Sequence, residues 1–141
     1  MNDVIKFWDT ITQSAMDVAS DCPLPVSIVG GGGESLPIEV VLQNESTAAG
    51  NGTPLTVGEY KTLTIEVYGT SVSRTVIFEI QSVSNAWYPI QGIKIQDYSM
   101  ATQTTGSGEV WQFDITGVTA VRARISAVAG GNVSVRGRAV V

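Results

Sequence analysis

Apolar and polar residues alternate through much of this chain, and the alternation assigns faces. Leu63, Ile65 and Val67 point one way while Thr62, Thr64, Glu66 and Tyr68 point the other; further on, Val76, Phe78 and Ile80 face in while Thr75, Ile77, Glu79 and Gln81 face out. A period of two is the signature of a strand with one covered face. The turn-forming Gly69-Thr70-Ser71 between the runs predicts a half-buried hairpin. More strands are predicted over Trp87 to Ile95, over Val110 to Ile115 with Trp111, Phe113 and Ile115 inward, over Val121 to Val128 and over Val133 to Val141. Short strands joined by Gly, Ser, Thr and Asn clusters predict an all-β fold, an antiparallel β-sandwich or jelly roll.

The last two strands allow a sharper expectation. Val121, Ala123, Ile125 and Ala127 form the inward set of one and Val133, Val135, Gly137 and Ala139 that of the other, all at odd positions. Directly opposed residues of a hairpin share a face, so their numbers sum to an even value. A two-residue turn would give an odd sum, and the pattern therefore predicts a three-residue loop containing Gly130 and Gly131, one of them at positive φ. Arg122, Arg124, Arg136 and Arg138 then share one outer face. Like charges on neighbouring strands repel. They are answered either by Asp114, Glu66 or Glu79 in a solvated lattice or by acidic groups across a protein interface.

The first 22 residues follow a different period. Val4, Phe7, Trp8, Ile11, Ala15 and Val18 recur at helical spacing, with Asn2 or Asp3 as cap and Pro23 as stop. The expected organisation is an amphipathic helical arm over 1–22, an extended segment and glycine hinge over 23–35, and the β-domain over 36–141. The stripe carrying Phe7, Trp8 and Ile11 needs a cover, which makes it a candidate subunit contact. LPVSIV at Leu24 to Val29 is echoed by LPIEVV at Leu36 to Val41, each proline leading a strand. Gly30 to Gly33 is followed by neither Gly-Lys-Ser/Thr nor a helical pattern, so it reads as a hinge and not as a phosphate loop.

Composition narrows the chemistry. Among 141 residues there is no histidine and one cysteine, Cys22, which removes the commonest general base, thiolate zinc sites and any internal disulfide. The acids are scattered, without a calcium-loop pattern or a close carboxylate pair. The expectation is a protein with no catalytic, cofactor-binding or metal-binding residues. A net charge of −5 argues against nucleic acid and anionic membranes as partners. The start lacks a secretory signal pattern, no run approaches the roughly 18 apolar residues of a membrane span, and folding in a cytoplasm is expected. Asn44, Asn51 and Asn132 stand in N-x-S/T triplets, read as polar surface in the absence of that signal. Trp87 with Tyr88 is the best-placed pair for a sugar platform, but aromatics within strands usually fill a core, and Trp87 and Trp111 are both expected there.

The run VWQFDITGVTAVRARISAVAGGNVSVRGRAVV, with TVIFEIQSVSNAWYPI before it, resembles small β-sandwich structural proteins of tailed bacteriophages over about the C-terminal two-thirds of the chain. SVSNAW departs from that group's pattern by lacking an Asp-Gly turn. The resemblance implies a virion component. Without collagen-like repeats, fibre shaft or coiled coil, it points most to a capsid cement (decoration) protein on the capsid surface, binding the major capsid protein and itself as a homodimer or homotrimer. A tail-associated receptor-binding or adhesin domain and a carbohydrate-binding module are the alternatives.

Overall fold

Residues 36–141 are described by the computed structural model of this chain, and they form eleven strands. The long ones are β1 (Ile38–Ser46), β3 (Thr62–Tyr68), β4 (Ser73–Gln81), β9 (Glu109–Asp114), β10 (Ala120–Ala129) and β11 (Val133–Val140). Short strands β2 (Leu55–Thr56), β5 (Trp87–Pro89), β6 (Gly92–Lys94), β7 (Met100–Ala101) and β8 (Gln103–Thr104) complete the set. One sheet runs β1-β11-β3-β9-β6-β7 and the other β2-β10-β4-β5, with β8 also on β4; every pairing is antiparallel. The all-β expectation holds for the described residues. The expected helical arm, extended segment and hinge lie outside them.

Alternation assigned the core faces of the long strands with one correction: Ala127, expected inward, is exposed, because a bulge between Ile125 and Ala127 shifts the face of β10 there. Leu63, Ile65 and Val67 of β3, Trp111 and Phe113 of β9, Val121, Ala123 and Ile125 of β10 and Val133 and Val135 of β11 are all buried in one apolar cluster. Phe78 of β4 spans from one sheet to the other, its ring 5.2 Å from that of Trp111 and 4.8 Å from that of Phe113. Tilted and edge-on contacts of this kind add ~0.5–1.5 kcal/mol each to the burial of the rings themselves.

Strand pairing differs from the sequence expectation in two places, for one reason. β3 and β4 do not pair with each other, and neither do β10 and β11; each couple is split between the sheets. An arch that carries the chain from one sheet to the facing one turns the apolar side of both strands toward the same core, as a hairpin does. Alternation is identical in the two cases. The β10–β11 link has the expected three residues, but both glycines take positive φ, Gly130 at 74° and Gly131 at 145°. The two arches are laced together: Ser71 N–H donates to Asn132 O (3.0 Å), Val72 N–H to Ala129 O (2.9 Å), and the Asn132 side chain accepts from Thr70 N–H (3.2 Å). A Cβ on Gly131 would stand 2.6 Å from the Thr70 carbonyl carbon, so backbone packing and φ both demand glycine there.

The stretch expected as one strand from Trp87 to Ile95 is two, β5 and β6, in different sheets. Buried polar groups close the ends of the core. Gln43 of β1 donates to Ala123 O of β10 (2.7 Å) across the sheets and to Gly50 O (3.2 Å), and Arg74 is held by Ser71 Oγ (2.8 Å), Ser71 O and Thr105 O.

Candidate functional site

The split of β10 from β11 divides the arginines. Arg122 and Arg124 leave the outer side of the second sheet and Arg136 and Arg138 the outer side of the first, which corrects the expectation of one shared face.

On the second sheet, Arg122 lies directly across from Glu79 and Arg124 across from Ile77. Arg122 Nε donates to Glu79 Oε1 at 2.8 Å; Arg124 donates through Nε to both carboxylate oxygens at 3.2 Å and through Nη2 to Oε2 at 3.0 Å. Glu79 is 7% exposed although its strand position faces outward, because the two guanidiniums lie over it. Burial pushes its carboxyl up, but the hydrogen bonds and charges of Arg124 and Arg122 outweigh that and hold it below its ordinary value of 4.5. Arg124 is correspondingly pushed up, first by its hydrogen bond to Glu79.

Trp87 belongs to this face and not to the core. It pairs with Gln81, one outward position along from Glu79, and the Arg122 guanidinium carbon sits 4.0 Å above its ring. Arg122 is thereby stacked on an aromatic face and tied by its Nε to a carboxylate. The sequence signal for Trp87 was its parity with Gln81, which becomes readable only once the β4–β5 register is known.

On the first sheet, Arg136 stands across from Glu66 of β3 and Val41 of β1, and Arg138 across from Thr64 and Glu39. Among the described residues neither arginine forms an ion pair, and all four charged side chains are exposed. Shallow clefts of about 270 and 290 Å³ flank β11, both lined by Arg136, Gly137 and Arg138. Gly137 allows β11 to lie close to β3, since a Cβ there would meet the Thr64 carbonyl oxygen at 1.9 Å.

Asp114, a sequence candidate for the arginines, instead accepts from Thr116 N–H at 3.0 Å, which lowers its pKa. A separate cluster organises the 94–111 region. Lys94 bridges Asp97 (3.1 Å) and Glu109 (3.6 Å), and Glu109 also accepts from Trp111 Nε1 (3.1 Å) and the Thr104 hydroxyl. Hydrogen bonds from the Ser99 hydroxyl and amide, then Lys94, lower Asp97 to about 2. Among the described residues no three His, Cys, Asp or Glu side chains group closely enough to hold a metal ion. Phe7, Trp8 and Ile11 lie outside the described residues.

Two of the proteins that this chain is similar to, XepA and YomS, are described as phage-derived. A family model described as XepA matches residues 37–139. The uncharacterized protein YqxG of Bacillus subtilis (strain 168) is 39% identical over 107 residues, covering 76% of this chain and 36% of that protein. The phage-like element PBSX protein XepA of the same organism is 37% identical over 102 residues, covering 72% of this chain and 37% of that protein. This chain thus spans little more than a third of either relative. The crystal structure of the PBSX exported protein XepA superposes with a TM-score of 0.74 at 32% identity over 89% of this chain and 48% of the other. That of the SPBc2 prophage-derived protein YomS gives 0.69 at 24% identity, over 80% and 98% respectively, and shows the same fold.

Proposed function

This chain belongs to the XepA family, and from that premise we propose that it is a non-enzymatic structural protein of a phage-derived particle, working by docking other proteins on its sheet faces. Its relatives XepA and YomS come from phage elements, and XepA is described as exported. The specific form we put forward is a capsid cement protein. It would sit on the capsid surface, bind the major capsid protein between capsomers, and associate with itself through the stripe carrying Phe7, Trp8 and Ile11. Neither cofactor nor metal takes part, and a chain of net charge −5 is not drawn to nucleic acid or membrane.

The strand order supports a jelly roll. β1 pairs with β11, β2 with β10, β3 with β9 and β4 with β5, which is one long antiparallel hairpin folded over into two sheets. The observation that carries the docking reading is the state of Arg136 and Arg138: they are exposed, beside clefts, and among the described residues bonded to no acid although Glu66 and Glu39 stand across from them in register. Guanidiniums in that state are available to acidic groups of a partner. The test is attachment of wild-type and Arg136→Glu/Arg138→Glu protein to purified particles, with cryo-microscopy to locate the density. Loss of attachment by the folded variant is the expected result, with density between capsomers. Unchanged attachment would remove this face from the docking surface.

A tail-associated receptor-binding or adhesin domain is the second reading, favoured by the export of XepA, and a carbohydrate-binding module is a special case of it. Density on the tail, or selective binding on a glycan array, would favour these over cement.

A further inference from the structure

The face of the second sheet is built differently, and it carries an inference that goes beyond docking through Arg136 and Arg138. Arg122 has a side chain only 15% exposed, yet Nε is its one hydrogen-bonding donor; among the described residues its Nη1 and Nη2 groups meet no protein acceptor. Arg124 spends Nε and Nη2 on Glu79 and leaves Nη1 without one. Half-buried guanidinium donors without acceptors are uncommon in folded proteins and call for an explanation. Here they are also held still: Glu79 anchors one edge of each fork and the Trp87 ring supports Arg122 from beneath. Side-chain freedom that a surface arginine would lose on binding is already gone.

We propose that Arg122 and Arg124, set on Glu79 and Trp87, form an oxyanion site that takes the side-chain carboxylate of an acidic protein segment. Glu79 neutralises one of the two positive charges, leaving a single net charge, which suits one carboxylate. Planar donor forks match the planar carboxylate in geometry. Nucleic acid and other polyanions fit less well, because they would bring many charges to a chain of net charge −5 that offers one at this place. A contact here as well as at Arg136 and Arg138 would give the protein two docking faces on opposite sheets, as bridging two partners requires.

The experiment is a side-chain 15N–1H NMR titration of the full chain with an end-capped Asp-Glu-Asp-Glu peptide, and separately with inorganic phosphate. The arginine signals of Arg122 and Arg124 are expected to move saturably with the peptide. Arg124→Lys keeps the charge and loses the fork, and should weaken peptide binding about tenfold with an unchanged amide spectrum. No saturable movement of Arg122 and Arg124, unchanged affinity in Arg124→Lys, or tighter binding of phosphate than of the peptide would each overturn the carboxylate site. Because the titration uses no particles, its failure is separate from any failure of attachment through Arg136 and Arg138.

Discussion

Two Arg-x-Arg pairs leave this protein on opposite sheets, and each finds acids on the adjacent strands, but among the described residues only one pair bonds to them. Arg122 and Glu79 are directly opposed, and so are Arg136 and Glu66. Register is therefore not what separates the two. The difference is what lies over the acid. Trp87 supports Arg122, both arginines cover Glu79, and the carboxylate is taken out of water, where its attraction to the guanidiniums is stronger. Glu66 and Glu39 have no such neighbour and remain solvated. In high dielectric the gain from an ion pair, ~0–1 kcal/mol, barely offsets the entropy of holding two long side chains in place. A stacked aromatic turns a charge pattern into a fixed structure; without one, the same pattern stays solvated among the described residues.

The largest effect should come from breaking the covered cluster. Glu79→Ala leaves two arginines facing each other over lost packing, and chemical denaturation should show a loss of about 2–4 kcal/mol. A loss within error of zero would mean that the arginines simply rotate into water and that the cluster is no more structural than the other pair. Second comes Gly137→Ala on the opposite sheet, where the added methyl meets the backbone of β3; about 1–3 kcal/mol should be lost, with Arg136 and Arg138 displaced.

A smaller effect should appear with acid. The Glu79 carboxyl is depressed in the folded state, so its contribution is complete above its ordinary value of 4.5 and is lost as pH falls through the lower folded value. Asp97 adds a loss between 3.8 and about 2. Acid unfolding of wild type compared with Glu79→Gln isolates the first of these, and parallel curves would show that Glu79 carries no pH-linked stability. Smallest of all, Arg136→Glu with Arg138→Glu should change the melt by no more than ~0.5 kcal/mol, as for exposed strand charges. A large loss there would show that the two arginine pairs are structurally alike after all.

Much of the covered architecture was legible from residues alone. Alternation fixed the inward positions of β3, β9 and β11 and of β10 as far as Ile125, because each strand has one face in the shared core and a one-residue slip would put its whole apolar set in water; the bulge that exposes Ala127 was not legible. The β10–β11 link does have three residues, but the parity rule that led to that length assumed a hairpin between strands that in fact lie in different sheets. Glu79 could be named as a possible partner of the arginines, but its burial could not be read, since its outward parity matched that of exposed Glu66.

What the sequence by itself determined is thus which side of most strand positions is apolar, where the turns fall and which residue types, histidine above all, are absent. The tertiary structure alone decided which strand lies beside which. An arch and a hairpin impose the same alternation, and only the lacing of the 69–72 and 130–132 loops and the Phe78 contacts across the sheets reveal the arch. That choice sent one arginine pair to Glu79 and Trp87 and the other to solvent. The alternating pattern specifies how a residue faces the core, whereas its lateral neighbours come from long-range pairing.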